Sequence, residues 1–366
     1  MLTVNSAAIR TLYDSVLPCP LHRLREYLVI DQNALAEAYE QDRFYALQLE
    51  INDACLQGCA YCYMNALPHG ERMLSDYEVL EIVEQAASAG FTAIEWLGGE
   101  PLNRPGAFAF MERARELGLR NNLWTGGLPL DREGVAERVV ELSADALVSV
   151  HLSTLDPSVY VLLHPERTAQ DMSIVLSGVE RLLALGYPAE RMLNSVTLTG
   201  AQPADDMIAT INVFEDRYGI RTSLNIYHTY LRPGHDPGEL ERFVPSASDI
   251  ARVQNRLQRQ WGRSMPMNCV DKRYCSTTVA ILNDGTVTPC ATIRDGVGSI
   301  RGQGGFLGLL REQRDSLALT ALKNPANLPD GCADCGMSSD CWGCRSRAYA
   351  AGAGVLGKDP RCHRSG

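Results

Sequence analysis

From residue 46 onward the chain alternates between two hydrophobic rhythms. Ala46–Asn52 (ALQLEIN) has period two, with Leu47, Leu49 and Ile51 on one face and Gln48, Glu50 and Asn52 on the other, the pattern of a strand. Ser75–Ala89 has helical period, with Ser75 as N-cap, Glu78 three residues on and Gly90 as stop. Further strands are predicted at Ala93–Leu97, Asn121–Thr125, Ala146–Ser153, Met192–Thr199 and Arg221–Tyr230. Helices predicted at Phe108–Leu117, Arg132–Leu142, Met172–Leu185 and Ala204–Tyr218 separate them. Strands alternating with helices pair in parallel through helical crossovers. Six such units fall short of a closed eight-fold barrel. The expected fold is therefore α/β, a partial (β/α)6 TIM-like barrel open on one side. Sheets of this kind carry their active sites at the C-terminal ends of the strands.

The polar alternate face of the first strand needs a reason, because parallel strands covered by helices normally read apolar throughout. Glu50 and Asn52 are therefore read as facing a lumen. Strand parity puts His151 on the same face as Ser153, and Tyr227 and His228 lie near the end of the sixth strand. His151, Glu50 and Tyr227 are the catalytic candidates. The bland alternative for His151 is a satisfied core histidine.

Length and charge narrow the class. A chain of 366 residues exceeds the usual ceiling for one hydrophobic core. Hydrophobic content of 45% and charged content of 21% are ordinary for a soluble globular protein. The net charge is −10 with no basic run, so no nucleic-acid partner is expected. No apolar run approaches the ~20 residues of a membrane helix, and the N-terminus lacks a signal peptide's basic start and long apolar core. No membrane partner and a cytoplasmic location are expected. Disulfides are rare there, so twelve cysteines point to metal rather than crosslinks.

Those cysteines are unevenly placed. Cys19 stands alone, three lie at Cys55, Cys59 and Cys62, and eight lie between Cys269 and Cys362. The chain divides accordingly into an N-terminal extension (1–45, helical over Ile30–Asp42), the barrel (46–235), a linker and helix (236–268, helix at Ser248–Trp261) and a small cysteine-rich domain (269–366).

The loop after the first strand reads CLQGCAYC, a C-x3-C-x2-C spacing. Three thiolates hold three corners of a [4Fe–4S] cube and leave one iron open to a small molecule. A zinc knuckle is the alternative, but it wants a fourth ligand close by, and none follows until Cys269. The second strand ends in Gly98-Gly99-Glu100-Pro101, where glycines let backbone carbonyls approach a ligand closely. Further on, Cys269-x5-Cys275-x9-Gly285-x4-Cys290 surrounds an expected β-hairpin turning at Asn283-Asp284-Gly285. Cys332-x2-Cys335-x5-Cys341-x2-Cys344 follows, then Cys362. Eight cysteines make two sets of four; a zinc ribbon is the alternative for the second run.

CLQGCAYC followed by GGEP resembles the radical SAM superfamily. The resemblance implies that Cys55, Cys59 and Cys62 hold a [4Fe–4S] cluster whose open iron binds S-adenosyl-L-methionine. By the same resemblance Gly98, Gly99, Glu100 and Pro101 meet the cofactor's amino group, Tyr61 lies near its adenine, and Thr125 and Ser153 face its carboxylate or ribose. The C-terminal pattern resembles the SPASM extension, named for subtilosin, pyrroloquinoline quinone, anaerobic sulfatase and mycofactocin maturation. It departs at one point: two residues, Trp342 and Gly343, precede Cys344 where the extension has three. This second resemblance implies one auxiliary [4Fe–4S] cluster on Cys269, Cys275, Cys290 and Cys344 and another on Cys332, Cys335, Cys341 and Cys362, three clusters in all. Fully ligated auxiliary clusters leave electron transfer as their role.

The expected reaction is reductive cleavage of S-adenosylmethionine to a 5′-deoxyadenosyl radical, hydrogen abstraction from substrate, and a net two-electron oxidation with an auxiliary cluster as acceptor. The resemblance implies an electron donor such as flavodoxin or ferredoxin. It favours a peptide or protein substrate and a maturase. Ala291 stands where sulfatase-maturating enzymes have an aspartate base, which argues against formylglycine formation. The alternative is a small-molecule dehydrogenase, epimerase or decarboxylase acting on a sugar, nucleoside or aminoglycoside. A non-catalytic Fe–S electron carrier is the remaining class, and it leaves the open corner and GGEP without a use.

Overall fold

The computed structural model describes residues 32–71, 73–228, 238, 241–267 and 269–364. Cys19, most of the N-terminal extension, Tyr230 and much of the loop beyond it lie outside the described residues.

Helix α1 (Gln32–Glu40) precedes the barrel units. These run β1 (Ala46–Glu50), α2 (Asp76–Ser88), β2 (Ala93–Leu97), α3 (Ala107–Glu116), β3 (Arg120–Thr125), α4 (Val135–Leu142) and β4 (Val148–His151). They continue with α5 (Pro157–Leu163), α6 (Ala169–Ala184), β5 (Met192–Leu198), α7 (Ala204–Tyr218) and β6 (Arg221–Ile226). All six strands pair in parallel with their sequence neighbours. The sheet does not close, since β6 forms one of its edges. The expected partial barrel is therefore the observed architecture.

The two faces of β1 divide as its alternation predicts. Leu47, Leu49 and Ile51 are fully buried in the main core with Val79 and Val83 of α2 and Ile94 and Trp96 of β2. Each such apolar side chain contributes about 1.5–3 kcal/mol by leaving water. Helix α2 starts at the predicted cap: the Ser75 hydroxyl accepts from the Glu78 amide, and the Glu78 side chain accepts from the Ser75 amide. The short helix α5 is absent from the sequence reading. It is capped by Asp156, whose carboxylate accepts from the amides of Ser158 and Val159.

Beyond the barrel come α8 (Ala247–Trp261), α9 (Lys272–Ser276), β7 (Thr278–Ile281), β8 (Thr286–Thr288), β9 (Gly298–Ser299), α10 (Gly305–Glu312), α11 (Arg314–Leu317) and α12 (Arg345–Ala350). The expected hairpin is present as antiparallel β7 and β8. It does not stand apart from the barrel, however. Strand β7 pairs in parallel with β1, so the hairpin and β9 extend the barrel sheet to nine strands in the order β6-β5-β4-β3-β2-β1-β7-β8-β9. The C-terminal region is thereby anchored on the strand that carries the first cysteine loop.

Candidate active site and cysteine groups

The loop leaving β1 is fastened to the turn leaving β2. The Gly99 amide donates to the Asn52 carbonyl at 2.9 Å, and the Glu100 amide donates to the Ala54 carbonyl at 2.7 Å. The Asn52 side-chain amide returns a bond to the Glu100 carbonyl at 3.1 Å. Asn52 is thus a clamp between the two loops rather than a lumen-facing group. The contact leaves no room for side chains: a Cβ on Gly98 would lie 2.6 Å from the Asn52 carbonyl oxygen, and one on Gly99 would lie 2.3 Å from that of Ala54. Gly98 also has φ +139°, a backbone conformation only glycine adopts without strain.

Glu100 is buried, and its carboxylate accepts from the Thr125 hydroxyl (2.8 Å), the Gly126 amide (2.7 Å) and the Leu102 amide (3.1 Å). Burial pushes it up to about 7 despite those donors. Thr125, expected at a ligand, holds the Glu100 carboxylate. Ser153 is likewise occupied: it is fully buried, and its hydroxyl accepts from the Thr197 amide at 3.0 Å. Pro101 begins a short 3-10 turn directly after Glu100.

Around the cysteine loop the structure gathers residues from three strands. The Tyr61 hydroxyl lies 2.6 Å from His151 Nε2 and 3.4 Å from the Ser153 hydroxyl. Burial lowers the His151 imidazole to about 4, so it is neutral near neutral pH. Cys59 Sγ and ring nitrogens of His151 and His164 lie within 4.8 Å of one another. His164, at the end of α5, is fully buried with Nδ1 at 2.9 Å from the Tyr160 carbonyl. No sequence signal distinguished it. Tyr227 packs with Tyr61 and Phe243 beside this loop. His228, near the end of the sixth strand, has Nε2 3.3 Å from Cys344 Sγ.

Glu50 is fully buried and accepts from Arg294 at 2.7 Å, from the Tyr63 hydroxyl at 3.0 Å and from the Asn283 amide at 3.3 Å. Burial raises its carboxyl, and Arg294 opposes that rise. Tyr63 follows the third cysteine and Arg294 follows Cys290, so this carboxylate ties the first cysteine loop to the C-terminal region. Neither partner was a sequence candidate, because the pairing spans 244 residues for Arg294.

No disulfide joins the eleven described cysteines. The C-terminal eight fall into two groups. Burial pushes the Cys269 thiol up to about 12, and Cys344 and Cys290 add to the rise. Burial also pushes up Cys275, with Cys290, Cys344 and Cys269 as its charged neighbours. The neighbours of Cys332 are Cys362, Cys341 and Cys335. Cys332, Cys335, Cys341 and Cys362 together line a cleft alongside Met265, Met267 and Met337.

Residues 49–213 match the family model described as the radical SAM superfamily. The chain carries a radical SAM domain. It is grouped by that domain with the radical SAM enzymes, a family whose chemistry implies S-adenosylmethionine and a [4Fe–4S] cluster. Curated relatives include a GTP 3′,8-cyclase of Thermodesulfovibrio yellowstonii, 44% identical over 72 residues covering 18% of this chain and 22% of that one. A probable GTP 3′,8-cyclase of Pyrococcus horikoshii is 27% identical over 162 residues, covering 44% and 49%. The GTP 3′,8-cyclase of Alkaliphilus oremlandii is 22% identical over 271 residues, covering 68% and 81%. The chain thus spans less than half the length of the first two relatives. Among solved structures, Streptococcus suis SuiB bound to precursor peptide SuiA superposes with TM-score 0.64 at 14% identity, over 90% of this chain and 79% of that one. Native anSMEcpe with bound AdoMet superposes with TM-score 0.60 at 15% identity, over 82% and 89%. The likeness of fold therefore extends past the radical SAM domain into the cysteine-rich C-terminus.

The residues present suit iron–sulfur clusters. Buried thiols with raised proton affinity become good ligands only where a metal cation stabilises the thiolate. Backbone amides already point at sulfur: Gln57 at Cys55 (3.4 Å), and Met267 and Gly343 at Cys341 (3.3 and 3.2 Å). The Arg345 guanidinium is buried, and its Nη2 has no hydrogen-bond partner. Such a group calls for a nearby anion, which thiolate-ligated clusters supply.

Proposed function

We propose that the chain is a SPASM-type radical SAM oxidase, with one S-adenosylmethionine-binding [4Fe–4S] cluster at Cys55, Cys59 and Cys62 and two auxiliary [4Fe–4S] clusters. The observation that carries this reading is the division of the C-terminal cysteines into two four-thiol groups, Cys269/Cys275/Cys290/Cys344 and Cys332/Cys335/Cys341/Cys362. When bound, these groups supply one-electron cleavage of S-adenosylmethionine to methionine and a 5′-deoxyadenosyl radical, hydrogen-atom abstraction from substrate, and an acceptor for the electron the substrate radical gives up.

This chain's own residues prepare that chemistry. Gly98, Gly99, Glu100 and Pro101 form the turn beside the open corner, and the Asn52 clamp keeps it in register with the cysteine loop. Glu100 gathers three donors, which fixes the turn's carbonyls for a cationic amino group. Tyr61, whose hydroxyl is held by His151, would lie near the cofactor's adenine. Neutral His151 is the group suited to take the proton that leaves with the substrate's second electron. Glu50 keeps Arg294 and Tyr63 in place at the barrel mouth, and Tyr227 closes the side next to Phe243. Thr125 holds Glu100, and the Ser153 hydroxyl accepts from the Thr197 amide, at the strand ends that would face the cofactor's carboxylate or ribose.

A peptide or protein substrate is the reading we favour, because the fold matches SuiB, crystallised with its precursor peptide, over 90% of this chain. The second reading is a nucleotide, since the curated relatives are named GTP 3′,8-cyclases. A cytoplasmic location and a flavodoxin- or ferredoxin-like reductant belong to the same reading. The test is anaerobic turnover of wild type and the C55A/C59A/C62A variant with dithionite and S-adenosylmethionine. Wild type is expected to release 5′-deoxyadenosine and the triple variant none; equal release by both would contradict the assignment. Deuterium carried into 5′-deoxyadenosine from a labelled peptide or from labelled GTP then separates the two substrate readings.

A further inference from the structure

His164 takes no part in the proposed reaction, yet its ring is fixed from two sides beside the cysteine loop. It is fully buried at the C-terminal end of α5. The Tyr160 ring, one turn earlier, lies against it with centroids 4.3 Å apart. Its Nδ1 lies 2.9 Å from the Tyr160 carbonyl. A carbonyl only accepts, so Nδ1 carries the proton and Nε2 presents a bare lone pair. That Nε2 is buried and has no hydrogen-bond partner. Leaving such an acceptor unmet costs about 1–3 kcal/mol.

The backbone brings a thiol and a second imidazole to the same place. The Ala60 amide donates to the Leu163 carbonyl at 2.9 Å, which ties the cysteine loop to the end of α5 and sets Cys59 near His164. His151 arrives from the last position of β4. Cys59 Sγ and one ring nitrogen of each histidine lie within 4.8 Å of one another. Zinc bonds of about 2.3 Å to sulfur and about 2.0–2.1 Å to nitrogen hold two ligands on one ion roughly 3.5–4 Å apart. The three side chains therefore need to close by only about 1 Å. One thiolate with two imidazoles suits zinc and other late first-row ions, not magnesium or calcium. The bond from His164 Nδ1 to a backbone carbonyl is the outer contact that orients a metal-binding histidine. On the other histidine, the Tyr61 hydroxyl lies 2.6 Å from His151 Nε2. An ion bound at that nitrogen would displace a contact worth about 1 kcal/mol.

We infer that Cys59, His151 and His164 form a site for one zinc-class divalent ion in the chain that carries no cluster on its first cysteine loop. Binding turns the Cys59 thiol into a thiolate and releases one proton to solvent, while both imidazoles bind neutral. A fourth position stays open, as in other three-ligand zinc sites. Cys59 is shared with the cluster of the proposed function, so ion and cluster exclude each other. The ion fastens the loop to β4 and α5, leaves Cys55 and Cys62 unused, and has to depart before a cluster is built there. The site needs only these three side chains, so it stands or falls separately from the cluster reading.

The test titrates zinc alone into the full chain, reduced and stripped of iron and other metals, in competition with a chromophoric chelator. The C-terminal cysteines also take zinc, so the readout is the difference between variants. Wild type is expected to hold one equivalent more than His164→Ala, His151→Gln or Cys59→Ala. Affinity at that site should fall by more than the roughly 10–100-fold that loss of an outer partner costs. C55A/C62A is expected to keep the wild-type count, because neither cysteine is a ligand of this ion. Should His164→Ala fail to fold, as read by its thermal transition, His151→Gln set against C55A/C62A decides: loss in the first and retention in the second support the site. Loss of the equivalent in C55A/C62A with retention in the histidine variants would assign the ion to the three cysteines and overturn the proposal. Equal counts in all chains would overturn it as well.

Discussion

At the barrel mouth, three cysteines ride on a loop pinned by backbone hydrogen bonds to the neighbouring turn; in the C-terminal region, Cys332, Cys335 and Cys341 ride on chain with no helix or strand of its own. The first loop inherits its geometry from parallel strands β1 and β2 and from glycines packed against Asn52 and Ala54. Residues 329–344, which carry three of the four cysteines around that cleft, contain turns but no helix or strand. The sheet therefore makes the first site, whereas in 329–344 the proposed function leaves that task to the clusters themselves. An open site can tolerate a missing ligand because the scaffold pre-forms it. A loop-built site cannot, because its ligands are also its core.

Breaking one ligand on each side tests this. Removing a single C-terminal ligand, Cys341→Ser, is expected to release its cluster and expose 329–344 to proteolysis at least tenfold faster, while the barrel's thermal transition remains. Limited digestion of reconstituted protein reads this directly, and protection equal to wild type would contradict it. A smaller effect is expected from Gly98→Ala, which forces both an unfavourable φ and a close contact with Asn52. Its cost is over about 3 kcal/mol, read by urea denaturation, with iron lost from the first site and kept by the other two.

Ion pairs also join the two regions, Glu50 with Arg294 in the interior and Glu78 with Arg301 at the surface. Glu50→Gln leaves the buried end of the Arg294 contact without its charge and is expected to cost about 2 kcal/mol, with Tyr63 and Asn283 still bonded. At the surface, the Arg301 guanidinium, helped by Ser75, holds the Glu78 carboxyl down to about 2 against the opposing effect of burial. A carboxyl with a depressed folded value stabilises fully above its ordinary 4.5 and loses that contribution as pH falls through about 2. Glu78→Gln is therefore expected to cost under about 1 kcal/mol at pH 7. Thermal melts should show the difference from wild type shrinking below pH 4.5.

Local patterns were legible in the sequence where local physics decides the outcome. The alternation in Ala46–Asn52 identified both faces of β1, and Ser75 with Glu78 identified the start of α2, because side-chain parity and capping need only neighbours in the chain. The cysteine spacings marked the loop after β1 and the two C-terminal runs. The roles of polar residues at strand ends were less legible. Thr125 and Ser153 bond to Glu100 and to the Thr197 amide, and Asn52 bonds to the turn after β2, because each meets a partner brought by another strand. The same holds for β7, whose pairing with β1 crosses more than 200 residues and has no local sign. Arg294 belongs to this class: only the folded chain places it beside Glu50.

The most direct test of the whole account is the iron and acid-labile sulfide content of the full chain after anaerobic reconstitution and desalting. Three [4Fe–4S] clusters predict about twelve of each per chain. About four of each would confine clusters to the barrel loop and contradict the assignment of the eight C-terminal cysteines.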